Sequence, residues 1–147
     1  MPLLIKKLDS NAIIPTVTHP NEDLGFDLYA LEDILLLPHK VEKVKTGISA
    51  RFVSYPFSTK NYGLLFRDRS SMASKGITVS GGVCDSSYTG ELLVLLTNNS
   101  DILFQIKKGD KIVQMIPQEV MTGEEIVEVE ELPIGNRNEK GFGSSGR

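Results

Sequence analysis

Apolar residues along this chain come in short runs set off by glycine, proline and polar turn residues. Ile34–Leu37, Tyr62–Phe66, Ile77–Val79, Leu92–Leu96, Ile102–Ile106 and Ile112–Ile116 are each strand-sized, and Ile48–Phe52 alternates apolar and polar with a period of two. Leu92–Leu96 is apolar at every position, which predicts burial on both faces. Only one stretch longer than twelve residues, 91–108, lacks both Gly and Pro, and the turn cluster Asn98–Asp101 interrupts it. Helices of ordinary length have almost nowhere to sit, and Ser70–Lys75 predicts no more than a short helical turn. Many short strands with turns between them specify an all-β barrel or jelly roll, without internal repeat or domain linker.

Two C-terminal segments behave differently. Residues 119–131 hold six glutamates among Ile126 and Val129 and predict an edge or connecting strand with one solvated face. Residues 135–147, GNRNEKGFGSSGR, contain four glycines, two serines and one large apolar group, Phe142. Such a segment cannot offset its own ordering entropy, so it is expected to order only against something bound.

Composition narrows the function classes. With 147 residues, 40% of them hydrophobic and 24% charged, the chain has the ordinary globular mix and length for one core. A net charge of −3 argues against a broad nucleic-acid footprint but leaves room for a small site for one anionic ligand. MPLLIKKLDS lacks a secretory apolar region, and no run approaches a membrane span. One cysteine, Cys84, and two scattered histidines, His19 and His39, provide neither a disulfide nor a metal-ligand cluster. The expectation is a soluble protein of a reducing, cytoplasmic setting.

Three segments carry candidate chemistry. Gly141–Gly146 spells G-x-G-x-x-G, but a dinucleotide-binding turn needs a strand before it and a helix after it, and only Arg147 follows. Its glycines, with Ser144, Ser145 and Arg137, still suit phosphate oxygens; the competing reading is a frayed end. Between two strand-like runs, Arg67–Lys75 offers cations and hydroxyls either as an anion site or as an ordinary solvated loop. Gly81–Gly90 reads as a hairpin in which Asp85, following apolar Val83 and Cys84, is expected to be partly desolvated. Such a carboxylate can orient or deprotonate a water, or simply cap its own turn. Tyr88 reads as a packing residue or a ligand platform, and Cys84 as a small buried hydrophobe.

Taken in order, Leu24–Ala30, Arg69–Ala73, Gly82–Asp85 with Tyr88 and Gly90, Gly109–Ile116, and Arg137 with Gly141–Gly146 resemble the five motifs of the trimeric deoxyuridine triphosphatases. The resemblance spans residues 24–146, and its strength lies in order and spacing. It implies a distorted jelly roll over residues 1–134 and an arm, 135–147, that closes over the active site of another subunit in a homotrimer. The implied reaction is Mg²⁺-dependent hydrolysis of dUTP to dUMP and pyrophosphate, limiting uracil in DNA and supplying dUMP for thymidylate. Neither a nucleic-acid nor a membrane partner is implied.

The same resemblance implies the residue roles. Asp85 would activate the attacking water, and Asp27 would belong to the polar network around the metal's waters. Arg69, Ser70, Ser71 and Gln114 would hold the phosphate chain, with Arg137, Gly143, Ser144 and Ser145 on the γ-phosphate. Tyr88 would lie against the deoxyribose, the Gly82 and Val83 backbone would read uracil, and Phe142 would stack on the base. No direct protein ligand for the ion is implied, since Mg²⁺ is carried mainly by phosphates and waters. Ser71 stands where the family usually has Gly, Asp68 where Pro is common and Cys84 where Ile is usual. Ser71 also points to the related dCTP deaminases, but their proton-shuttling glutamate falls at Leu95 here, which cannot transfer protons. A non-catalytic nucleotide switch is the remaining alternative.

Overall fold

The computed structural model describes residues 2–53 and 60–133. In chain order the elements are β1 (Leu3–Lys7), β2 (Phe26–Tyr29), β3 (Ile34–Leu36), β4 (Val41–Val44), β5 (Ile48–Phe52), β6 (Tyr62–Asp68), α1 (Ser70–Ala73), β7 (Ile77–Ser80), β8 (Val83–Cys84), β9 (Val94–Asn98), β10 (Phe104–Ile106) and β11 (Lys111–Glu119). Every pairing is antiparallel: β2-β11-β6-β8 form the largest sheet, β4-β9-β7 a second, and β1-β5 and β10-β3 are two-stranded. The architecture is all-β and jelly-roll-like, as the run lengths predict.

The core is filled from all four sheets. Leu28, Leu36, Val44, Ile48, Ile77, Leu96, Ile106, Ile112 and Met115 are at most 1% exposed. Each such side chain contributes roughly 1.5–3 kcal/mol by leaving water. The buried polar groups are paired: Asn98 donates to the Leu36 and Ile102 carbonyls and accepts from the Ser100 N–H and hydroxyl. The turn that breaks the 91–108 stretch is therefore built around a buried amide that ties β9 to β3.

Ile48–Phe52 is β5 as predicted, and the helical turn is α1. Two expectations fail. Leu92–Leu96 is not buried on both faces: the strand starts at Val94, and Leu93 and Leu95 are half-buried while Leu92, Val94 and Leu96 are buried. Although β9 lies between β4 and β7, only one of its faces meets the core. Nor do residues 120–131 form a strand: all are exposed, with Ile126 at 99%, and after the Val120 N–H, which donates to the Asn61 carbonyl at 2.9 Å, no backbone group of the segment bonds to another segment among the described residues. Alternation specifies which faces a strand would have, but a ladder needs a partner edge, and among the described residues none is offered.

β11 runs through Pro117, which reads as a break in the sequence. β2 pairs with β11 only as far as Met115, so Pro117 has β6 on one side alone, an edge position that a residue lacking an N–H tolerates. β1, β2, β4 and β8 are too short or too charged to stand out by periodicity and exist because partners complete them.

Candidate active site

Two polar clusters lie along β6. At its C-terminal end Arg69 stands between the strand and α1, in extended conformation. Its Nε donates to Asp27 Oδ1 at 3.0 Å, and its Nη1 donates to the Lys111 carbonyl at 3.3 Å. Ser71 Oγ lies 3.5 Å from the same Nη1, a marginal contact. Asp27, on β2, is 8% exposed, and its other oxygen takes the Lys111 ammonium at 2.7 Å. A carboxylate this buried must be paired to stay charged, and here two cations share it. The hydrogen bond to Asp27 raises the Lys111 pKa above its ordinary 10.5. Gln114 lies directly across from Asp27 in the β2–β11 ladder, so the two present the same face. Ser70 and Ser71 are exposed at the start of α1.

The other cluster forms where β8 returns along β6. Gly81, with φ of +61°, reverses the chain, and Gly82 then lies against the β6 backbone, its carbonyl accepting the Phe66 N–H at 2.7 Å. A Cβ on Gly82 would sit 2.5 Å from the Phe66 carbonyl oxygen, so only glycine fits. Cys84 and Val83 pair with Leu64 and Leu65, which places Asp85 beside Gly63. Tyr88 donates its N–H to the Asp85 carbonyl at 3.1 Å and its hydroxyl to the Glu91 carbonyl at 3.0 Å. Its ring lies across Gly90, where a Cβ would collide with the ring and hydroxyl. A cavity of about 180 Å³ opens here, lined among others by Val83, Cys84, Asp85, Tyr88 and Glu91.

Asp85 corrects one expectation. It is exposed rather than partly desolvated, because β8 ends at Cys84 and the chain turns outward. Among the described residues its carboxylate makes no hydrogen bond, so it does not cap its own turn either. Cys84 is 9% exposed, and burial pushes its thiol above the usual 9.0, with the Asp85 charge acting in the same direction; it stays protonated at neutral pH.

Asp27, Arg69, Ser71 and Gln114 thus come together, and Gly82, Val83, Asp85 and Tyr88 come together separately. No hydrogen bond or ion pair joins the two groups among the described residues. Arg137, Phe142, Gly143, Ser144 and Ser145 lie outside the described residues. Asp68, which stands where the family often has Pro, turns its carboxylate to the Val79 N–H at 2.6 Å and so ties β6 to β7. Leu95 is a half-buried residue of β9, with no proton to transfer. Nothing in the sequence singles out Lys111, whose place depends on a register shift in β11 between Lys111 and Val113. Among the described residues no group of three or more His, Cys, Asp or Glu side chains converges as a metal site.

An all-β fold with a cationic cluster at one strand end and a free carboxylate over a small cavity at the other defines a class: a protein built to take an anionic ligand beside an accessible acidic group. A family model for dUTPases matches residues 10–146. Among curated relatives, the deoxyuridine 5'-triphosphate nucleotidohydrolases of Nautilia profundicola and Picosynechococcus sp. are each 40% identical, covering 100% and 99% of both chains respectively. Among solved structures, the Staphylococcus bacteriophage 80alpha dUTPase G164S mutant with dUpNHpp superposes with a TM-score of 0.85 at 27% identity, covering 99% of each chain. The chain belongs to the dUTPase family and hydrolyses dUTP to dUMP and pyrophosphate.

Proposed function

We propose that this hydrolysis takes place in a site shared between copies of the chain, by in-line attack on the α-phosphorus of a water activated by Asp85. The observation that carries this reading is how far apart Asp85 and Arg69 stand along β6. Asp85 lies beside Gly63, and Arg69 is six residues further along, about 20 Å at the rise of a strand. The cavity beside Asp85, about 180 Å³, is smaller than the several hundred Å³ of a complete ligand pocket. One copy supplies Asp85, Tyr88 and the Gly82–Val83 backbone; another supplies Arg69, Ser70, Ser71 and Gln114 for the phosphates. The exposed apolar residues Met121, Ile126 and Leu132, unpaired among the described residues, support a chain that packs against others of its kind, here as a homotrimer.

Asp85 takes a proton from the water as it attacks, and its exposure leaves it open to a water and a phosphate. Tyr88, held by Glu91 and Gly90, leaves no room for a 2′-hydroxyl on the sugar face. Gly82 has committed one lone pair of its carbonyl to Phe66, so it reads uracil with what remains of its backbone, together with Val83. In the arm, residues 135–147, Arg137, Gly143, Ser144 and Ser145 hold the γ-phosphate and Phe142 covers the base. The Mg²⁺ is held by phosphate oxygens and waters, with Asp27 in the surrounding polar network. When bound, that ion neutralises charge on the departing pyrophosphate. No helix among the described residues is long and apolar enough to cross a membrane, and the single free thiol fits a reducing cytoplasm.

Mixing tests the shared site. Asp85→Asn and Arg69→Met should each be inactive alone, whereas co-refolding equal amounts should restore roughly a quarter of wild-type pyrophosphate release, since half the Asp85 donors meet half the Arg69 donors. A mixture as inactive as its parts would show that each chain builds its own site.

A further inference from the structure

Lys111 sits where the β11 strand carries an extra residue. Lys111 faces Tyr29, but the next paired residue, Val113, faces Leu28, so two residues of β11 oppose one of β2. Ile112 and Val113 are consequently both 0% exposed, and Lys111 is returned to the face that carries Gln114. Bulges re-aim side chains in this way and gather beside functional sites. Here one residue reaches the cluster twice: its ammonium holds Asp27 Oδ2 at 2.7 Å, and its carbonyl accepts Arg69 Nη1 at 3.3 Å.

The consequences for Arg69 are geometric and electrostatic. Nε is fixed by Asp27 and Nη1 by the Lys111 carbonyl, so the planar fork has one orientation, with Nη2 free of hydrogen bonds among the described residues. Without Lys111, Asp27 and Arg69 form a neutral pair that offers a phosphate little net attraction. With it, the three side chains carry one net positive charge.

We infer that Lys111 is a positioning residue for dUTP hydrolysis, acting through Asp27 to hold Arg69 open toward the triphosphate and to keep the cluster cationic. The inference rests on Arg69 binding substrate phosphate, as proposed above. Lys111→Met should raise KM for dUTP about tenfold with kcat within about twofold of wild type, and Lys111→Arg should restore most of the loss. Because the positioning runs through Asp27, Lys111→Met should cost several-fold less on an Asp27→Asn background than on wild type. Should Lys111→Met fail to fold, Lys111→Gln, a neutral donor for Asp27, carries the same expectation. A wild-type KM for the Lys111 variants, with Arg69→Met impaired, overturns the inference alone. Effects of Lys111 and Asp27 that simply multiply overturn it too, since Lys111 would then meet substrate directly. A wild-type KM for Arg69→Met overturns the phosphate role of Arg69 itself.

Discussion

Asp27, inside β2, and Asp85, just past β8, are both carboxylates, and the fold gives them opposite surroundings. Asp27 is 8% exposed and divided between Arg69 and Lys111, so each of its oxygens already holds a cation. Asp85 is exposed and unbonded at its carboxylate among the described residues, which is what a base for water requires. Asp85→Asn should therefore lower kcat by at least about a thousandfold while an imido analogue of dUTP still binds, measured by pyrophosphate release and by titration calorimetry. Loss of both together would make Asp85 a binding residue. Neither environment was legible from neighbouring residues: apolar Val83 and Cys84 suggested desolvation at Asp85, but a turn after a two-residue strand reverses the inference.

At the level of elements, β8 is the least self-sufficient piece, two residues long and held by β6 and by the contact of Gly82 with Phe66. Gly82→Ala places a Cβ 2.5 Å from a backbone oxygen that cannot swing aside. It should cost about 1–3 kcal/mol in denaturant unfolding, and it should reduce turnover because Val83 and Asp85 follow directly. An alanine variant of wild-type stability would mean that β8 can detach without consequence. The glycines were visible in the sequence, but the need for Gly82 was not, since it arises from Phe66, sixteen residues earlier. Strand identity was legible where alternation or a long apolar run was present, as in β5 and β9. It was hidden where a partner made the strand, as in β2 and β4, and where proline sat at an edge, as in β11.

For the whole molecule, the distance between Asp85 and Arg69 along β6 is the central fact, because the shared site proposed above rests on it. The proposed arm belongs to the same logic. Deleting residues 136–147 should cut pyrophosphate release severely and leave the thermal midpoint nearly unchanged, since the core described through β11 is complete without them. A truncated chain of full activity would remove the arm from the mechanism. The sequence by itself determined the β class and the ordered motifs that place the chain in its family, because both are written in local spacing and residue type. Only the assembled fold makes Asp85 open, brings Lys111 to Asp27 through a bulge, and leaves the acidic segment after Glu119 without a paired strand among the described residues. Burial, register and pairing are relations between distant segments, and no single segment carries them.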